Sequence, residues 1–118
     1  MRDIRFKFWL KHLKKMTYPH TLQEACKFID EMHDNIICLQ YLDIKDDYND
    51  IRLCEGDWVE MEYSSLGSRF NIKGVIRYNQ KYAQFVVKRG LRIVPLSVSN
   101  RTIKYKGNVY ENPELGKY

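Results

Sequence analysis

From Glu55 onward the sequence alternates apolar and polar residues in short runs separated by turn formers, and a period of two restricts that half of the chain to strands. In Trp58–Tyr63, the residues Val59, Met61 and Tyr63 oppose Trp58, Glu60 and Glu62. Ser64–Ser68, with Gly67, reads as a turn. Phe70, Ile72, Ile76 and Tyr78 share one face of the next run, and Gly74 stands where a bend or bulge is tolerated. Asn79-Gln80-Lys81 turns, Tyr82–Lys88 is a strand, and Arg89-Gly90 turns again. Leu91–Leu96 follows, marked as an edge by Pro95, and Thr102–Lys106 is the last long strand before the turn at Asn112–Leu115. Nine tyrosines in 118 residues agree with this bias toward strands.

The first half is organised differently. Arg2–Trp9 alternates, with Ile4, Phe6 and Phe8 on one face, and predicts a half-buried strand. Lys11–Lys15 forms a basic connection that Pro19 closes. Thr21-Leu22-Gln23-Glu24 is a capping box, and after it Leu22, Ala25, Cys26, Ile29 and Met32 recur at helical spacing, with Phe28 alongside. This predicts an amphipathic helix ending near Asp34, with Asn35 as its cap and an acidic outer face of Asp30, Glu31 and Asp34. Acids in the last turn oppose the helix dipole and call for a partner outside the helix. Ile36–Leu42 reads as a short strand pairing with Arg2–Trp9, and residues 43–50 as an acidic turn. The expected fold is α+β, mainly β. An N-terminal strand–helix–strand region, residues 1–54, is attached to a small SH3-like barrel, residues 55–118, the two folding as one cooperative unit.

Charge is polarised along this chain. The net +5 divides into six basic and one acidic side chain in residues 1–20, three against twelve in 21–62, and eleven against two in 63–118. No apolar run reaches the ~20 residues of a membrane span, and the N-terminus lacks the apolar segment of a secretory leader. Cys26, Cys38 and Cys54 are odd in number and widely spaced. They suggest neither a disulfide framework nor a zinc site, and read as buried or half-buried thiols of a cytosolic protein.

Four stretches carry a family resemblance. They are Met1-Arg2-Asp3-Ile4-Arg5-Phe6-Lys7-Phe8-Trp9, then Gln40–Asp46 leading to Cys54-Glu55-Gly56-Asp57-Trp58-Val59, then Gly74-Val75-Ile76, and finally Gly107-Asn108-Val109-Tyr110-Glu111-Asn112-Pro113-Glu114-Leu115. Taken in that order they resemble the YopX family of small bacteriophage and prophage proteins, nearly end to end. The chain departs at Leu42-Asp43, where the family has Thr-Gly, and carries one extra residue before Cys54, as a divergent member would. The resemblance implies a phage-lineage accessory protein in the bacterial host cytoplasm and brings with it no enzymatic activity, cofactor or catalytic residue.

The residues support the same expectation. Glu55 and Asp57 have no partner base nearby, so Gly56-Asp57 reads as a tight bend into the first barrel strand rather than a catalytic acid. Asp43, Asp46, Asp47 and Asp50 fail the EF-hand pattern and read as a solvated turn. His12, His20 and His33 are not spaced for paired metal ligation, with His33 near the apolar edge of the helix. Cys54 lacks a basic neighbour to activate it, and no P-loop, dinucleotide or nucleophile-elbow motif occurs. We expect no enzyme, cofactor or metal.

Two partner classes stay open. Lys73, Arg77, Lys81, Lys88, Arg89, Arg92, Arg101, Lys104 and Lys106, with Tyr78 and Tyr82, could form a basic, aromatic-edged barrel surface for nucleic acid. Alternatively these charges meet the acidic surface of Asp30, Glu31, Asp34, Asp46, Asp47 and Asp50, within one molecule or between copies in a homo-oligomer, or the chain docks to a host or phage protein.

Overall fold

Among the residues described, 4–32, 34–98 and 100–117, the computed structural model contains nine strands and one α-helix. The chain divides after Tyr41. Arg2, Asp3 and His33, invoked above, lie outside the described residues.

In the first unit β1 (Phe6–Leu10) pairs antiparallel with the short β2 (Lys15–Met16) and with the first half of β3 (Ile36–Lys45). The register sets Phe8 opposite Cys38 and Leu10 opposite Ile36. Helix α1 (Leu22–Met32) starts at the capping box. The Thr21 hydroxyl accepts from the Glu24 amide at 3.3 Å and donates to Glu24 Oε1 at 3.0 Å. That hydroxyl first, and His20 second, hold the Glu24 carboxyl below its usual value.

The apolar stripe of α1 does not bury as one face. Ala25 is buried and the Phe28 ring packs at 4.6 Å on Phe8, whereas Leu22, Cys26 and Ile29 are exposed. Under the helix Phe8, Ile36 and the His20 ring supply buried partners, which is enough for one turn-to-turn stripe and not for two.

The second unit holds the last residues of β3, β4 (Arg52–Cys54) and a five-stranded sheet. The strand expected to stop at Leu42 runs on to Lys45, and β4, unexpected from the alternation, lies beside it. Arg52 fastens this hairpin, Nε donating to the Leu42 carbonyl at 2.8 Å and Nη2 to Asp43 Oδ1 at 3.0 Å.

The larger sheet is formed by β5 (Asp57–Ser65), β6 (Ser68–Asn79), β7 (Gln84–Arg89), β8 (Arg92–Pro95) and β9 (Thr102–Asn108), in the order β8-β7-β6-β5-β9. It curls into a half-barrel. Val59, Met61, Ile72, Ile76, Val87, Val94 and Ile103 line its inner face over Leu42 and Leu53. A Cβ on Gly74 would run into the Lys88 carbonyl, so the bare backbone is what lets β6 and β7 approach there, and the register of β5 and β6 runs through Gly74 without the bulge the sequence allowed. Pro95 does sit on an edge strand, as its missing amide requires.

Candidate interaction surface

The register of the half-barrel decides what its outer face offers. Glu60 on β5 lies opposite Lys73 on β6 and Lys104 on β9, while Glu62 lies opposite Asn71 and Thr102. Lys106 Nζ is 3.9 Å from Glu60 Oε2, Asn71 Nδ2 donates to Glu60 Oε1 at 3.3 Å, and Arg69 Nη2 is 3.4 Å from Glu62 Oε2. The two glutamates therefore interleave with the cations of the neighbouring strands. Glu60, Glu62, Tyr48, Thr102 and Lys104 line one shallow polar cleft, with Lys104 Nζ 5.5 Å from the Tyr48 ring.

The other cations named from the sequence do not join that face as a continuous patch. Arg92 reaches the Asn71 carbonyl at 2.9 Å and the Tyr63 hydroxyl at 3.0 Å. Arg101 donates to the Leu96 carbonyl, and Arg77 to Tyr110. Arg89 lies 6.0 Å over the Trp58 ring, Lys81 lies 5.4 Å over Tyr82, and Lys88 is exposed. Tyr78 stands edge-on to Phe85 at 5.2 Å, and its amide donates to Glu55 Oε2 at 3.3 Å.

The acidic residues fall into two groups. Asp30 and Glu31 are exposed on α1, followed by Asp34. Asp46 corrects the solvated-turn expectation, for it is only 4% exposed. Its Oδ1 accepts from the Tyr48 amide at 3.0 Å and from the Asn49 amide, and its Oδ2 accepts from the Tyr105 amide at 2.7 Å. Asp47 Oδ2 accepts from the Ile103 amide at 2.5 Å while its own amide donates to the Ile103 carbonyl at 2.8 Å. The turn thus seals the outer edge of β9 with carboxylates. Burial raises the Asp46 pKa, but the amide bonds from Tyr105, Asn49 and Tyr48 outweigh it and hold the carboxyl below the usual aspartate value. Asp50 meets Lys45 at 3.3 Å at the surface.

Among the described residues there is no group of three or more His, Cys, Asp or Glu side chains able to hold a metal ion, and no helix long and apolar enough to cross a membrane.

Near the C-terminus Asn108 is buried and organises a turn, its Oδ1 accepting from the amides of Tyr110 at 3.1 Å and Glu111 at 2.9 Å. Val109 donates to the Gly56 carbonyl at 3.0 Å, and a Cβ on Gly56 would strike the Tyr110 ring. Asp57 Oδ2 accepts from the Cys54 amide at 2.7 Å. A family model described as YopX protein matches residues 5–116. The chain belongs to the YopX family. No curated protein and no solved structure matches it. Two of the stretches that resemble YopX proteins in sequence, Glu55-Gly56-Asp57 and Gly107–Glu111, therefore meet in space, through Gly56 and Tyr110. Burial first pushes the Tyr110 phenol above its usual value, with Arg77 acting in the opposite direction.

The thiols of this YopX chain differ from their expected burial. Cys54 is buried, but Cys26 and Cys38 are exposed. Partial desolvation beside the helix first, and the charge of nearby Cys26 second, raise the Cys38 pKa. Titration with an aromatic disulfide reagent at neutral pH is expected to show two thiols reacting in the folded state, Cys26 faster than Cys38, and a third only on unfolding. Three equally fast thiols would contradict the burial of Cys54.

What sequence reasoning missed is the role of Glu60 and Glu62. Alternation had already put them on the solvent side of β5, and only the strand register was lacking to bring Lys73 and Lys104 beside them.

Proposed function

We propose that this YopX chain is a non-enzymatic accessory protein of phage type that works in the host cytoplasm by docking, first of all to further copies of itself. The observation that carries this reading is the interleaving of Glu60 and Glu62 with Lys73, Lys104 and Lys106. A phosphate backbone laid on that face would meet two carboxylates among the cations, and each costs part of the attraction that counterion release supplies. A face of alternating sign instead suits a protein surface of complementary pattern. The strand order supports reading the half-barrel as SH3-like, since three meandering strands extend on one side of β5 and the last strand returns to pair on its other side.

The rival reading, a nucleic-acid-binding barrel for phage gene regulation or replication, is tested by fluorescence anisotropy with labelled duplex and single-stranded oligonucleotides at low salt. No binding is expected. Binding whose log affinity falls linearly with log salt, and which disappears in the Lys73→Glu, Arg77→Glu, Lys104→Glu triple variant, would overturn the docking reading.

A further inference from the structure

Helix α1 leaves a second apolar stripe unpartnered. Leu22, Cys26 and Ile29, spaced by four and three residues, stand about a quarter turn from the Ala25–Phe28 stripe that packs on β1. Leu22 is 53% and Ile29 39% exposed. Cys38 is also exposed, directly across from Phe8 in the sheet and so on the face that α1 covers. Together they make an exposed apolar strip along one side of the helix, with Cys38 of β3 on the sheet face that α1 covers, and we call this strip the notch. Asp30 flanks this stripe on its outer side, whereas Glu31 lies across the helix from it, and residues 21–34 as a whole carry four acids against one lysine.

The second unit presents a shape of the opposite character. Arg89 pairs with Arg92 across the two-residue turn Gly90-Leu91, which Gly90 permits at φ +59°. Leu91 at the tip is 101% exposed and Ile93, across from Lys88, is 42% exposed. Residues 88–92 hold three cations and no acid. The anchoring of Arg92 on Asn71 and Tyr63 keeps this tip from folding away, so an aliphatic knob ringed by positive charge is held out at low entropic cost.

We propose that the α1–β3 notch of one copy receives the β7–β8 hairpin tip of another. Leu91 and Ile93 cover Leu22, Cys26 and Ile29, while Lys88 and Arg89 face Asp30. This rests on the self-association reading above and adds to it a contact separate from the face that carries Glu60 and Glu62. Since knob and notch are different patches, the contact is heterologous and runs head to tail.

Sedimentation velocity over a concentration series tests it. The wild-type chain is expected to associate, and more weakly as salt rises. Leu91→Asp and Ile29→Asp should each weaken association by roughly thirtyfold or more, the size of an interface hot spot, with the far-ultraviolet circular-dichroism spectrum unchanged; the melt of Leu91→Asp should match wild type, and that of Ile29→Asp, an acid added to the last helical turn, should fall slightly without loss of the fold. Leu66→Asp, on the other fully exposed hairpin tip, should change nothing. Mixing the Leu91→Asp and Ile29→Asp chains should restore a 1:1 complex that grows no further, because one keeps its notch and the other its knob. A wild-type chain that stays monomeric overturns both this inference and the self-association reading. Association that survives either single substitution, or singles that fail to complement each other, overturns the knob-and-notch pairing alone.

Discussion

Asp46→Ala is expected to lower the melting temperature by roughly 10–15 °C. One buried carboxylate accepts the amides of Tyr48, Asn49 and Tyr105. Hydrogen bonds to a charged acceptor contribute about 1.5–3 kcal/mol each when a partner is removed without replacement, and water will recover part of three such losses. A net cost of about 2–4 kcal/mol corresponds to that temperature shift for a domain of this size. Asp46→Asn, which keeps one carbonyl acceptor but no charge, should lose about half as much. The pH dependence gives the sign. Because the folded carboxyl is held below the ordinary aspartate value, its contribution is complete above that value, near 3.9, and fades as pH falls through it toward the folded one. The gap between wild type and Asp46→Ala should therefore be constant from pH 7 to about pH 5 and close below about pH 4. A gap that persists unchanged into acid would mean that shape, not charge, is what the turn requires.

The second large effect is expected at Gly56. Its φ of +92° is one that a side chain rarely adopts, and the place of its Cβ is already filled by the Tyr110 ring. Gly56→Ala should cost about 1–3 kcal/mol in backbone strain alone, with the displaced ring in addition, and lower the melting temperature by about 8–15 °C. The two parts separate in a double-mutant cycle. Tyr110→Ala loses packing over Gly56 and the bond from Arg77 but makes room for the new methyl group. The double variant should then be more stable than the sum of the singles predicts, by about 1 kcal/mol or more. Additive losses would show that the ring and the glycine are not coupled.

How much of this was legible beforehand varies with the kind of interaction. The face of β5 followed from alternation alone, because Val59, Met61 and Tyr63 could only be buried together. Thr21 announced its helix because a cap is a contact over three residues. The role of Asp46 was not readable, because its acceptor duty to Tyr105 spans 59 positions and nothing local distinguishes it from a solvated turn aspartate. Strand β4 escaped for a similar reason, being three residues long with a partner in the second half of β3. The stripe on α1 was overread. Periodicity ranks residues by apolar character, but it cannot say how wide a face the sheet beneath will accept, and here that face stops at Ala25 and Phe28. Of the interaction surface, the residue types were visible and their neighbours were not. Lys73 and Lys104 looked like one basic patch until Glu60 was placed between them.

The sealing of β9 by Asp46 and Asp47 also bears on the order in which the chain folds. The strand that completes the sheet is the last one made, and it must find both β5 and a turn synthesised more than fifty residues earlier. Until residues 102–108 leave the ribosome, β5 has a bare flank and two carboxylates await their amides. Closing such long loops pays its entropy before any contact rewards it, so folding should be slow for a domain of this length. During that interval the nascent chain is exposed to strand pairing with its neighbours on the same polysome.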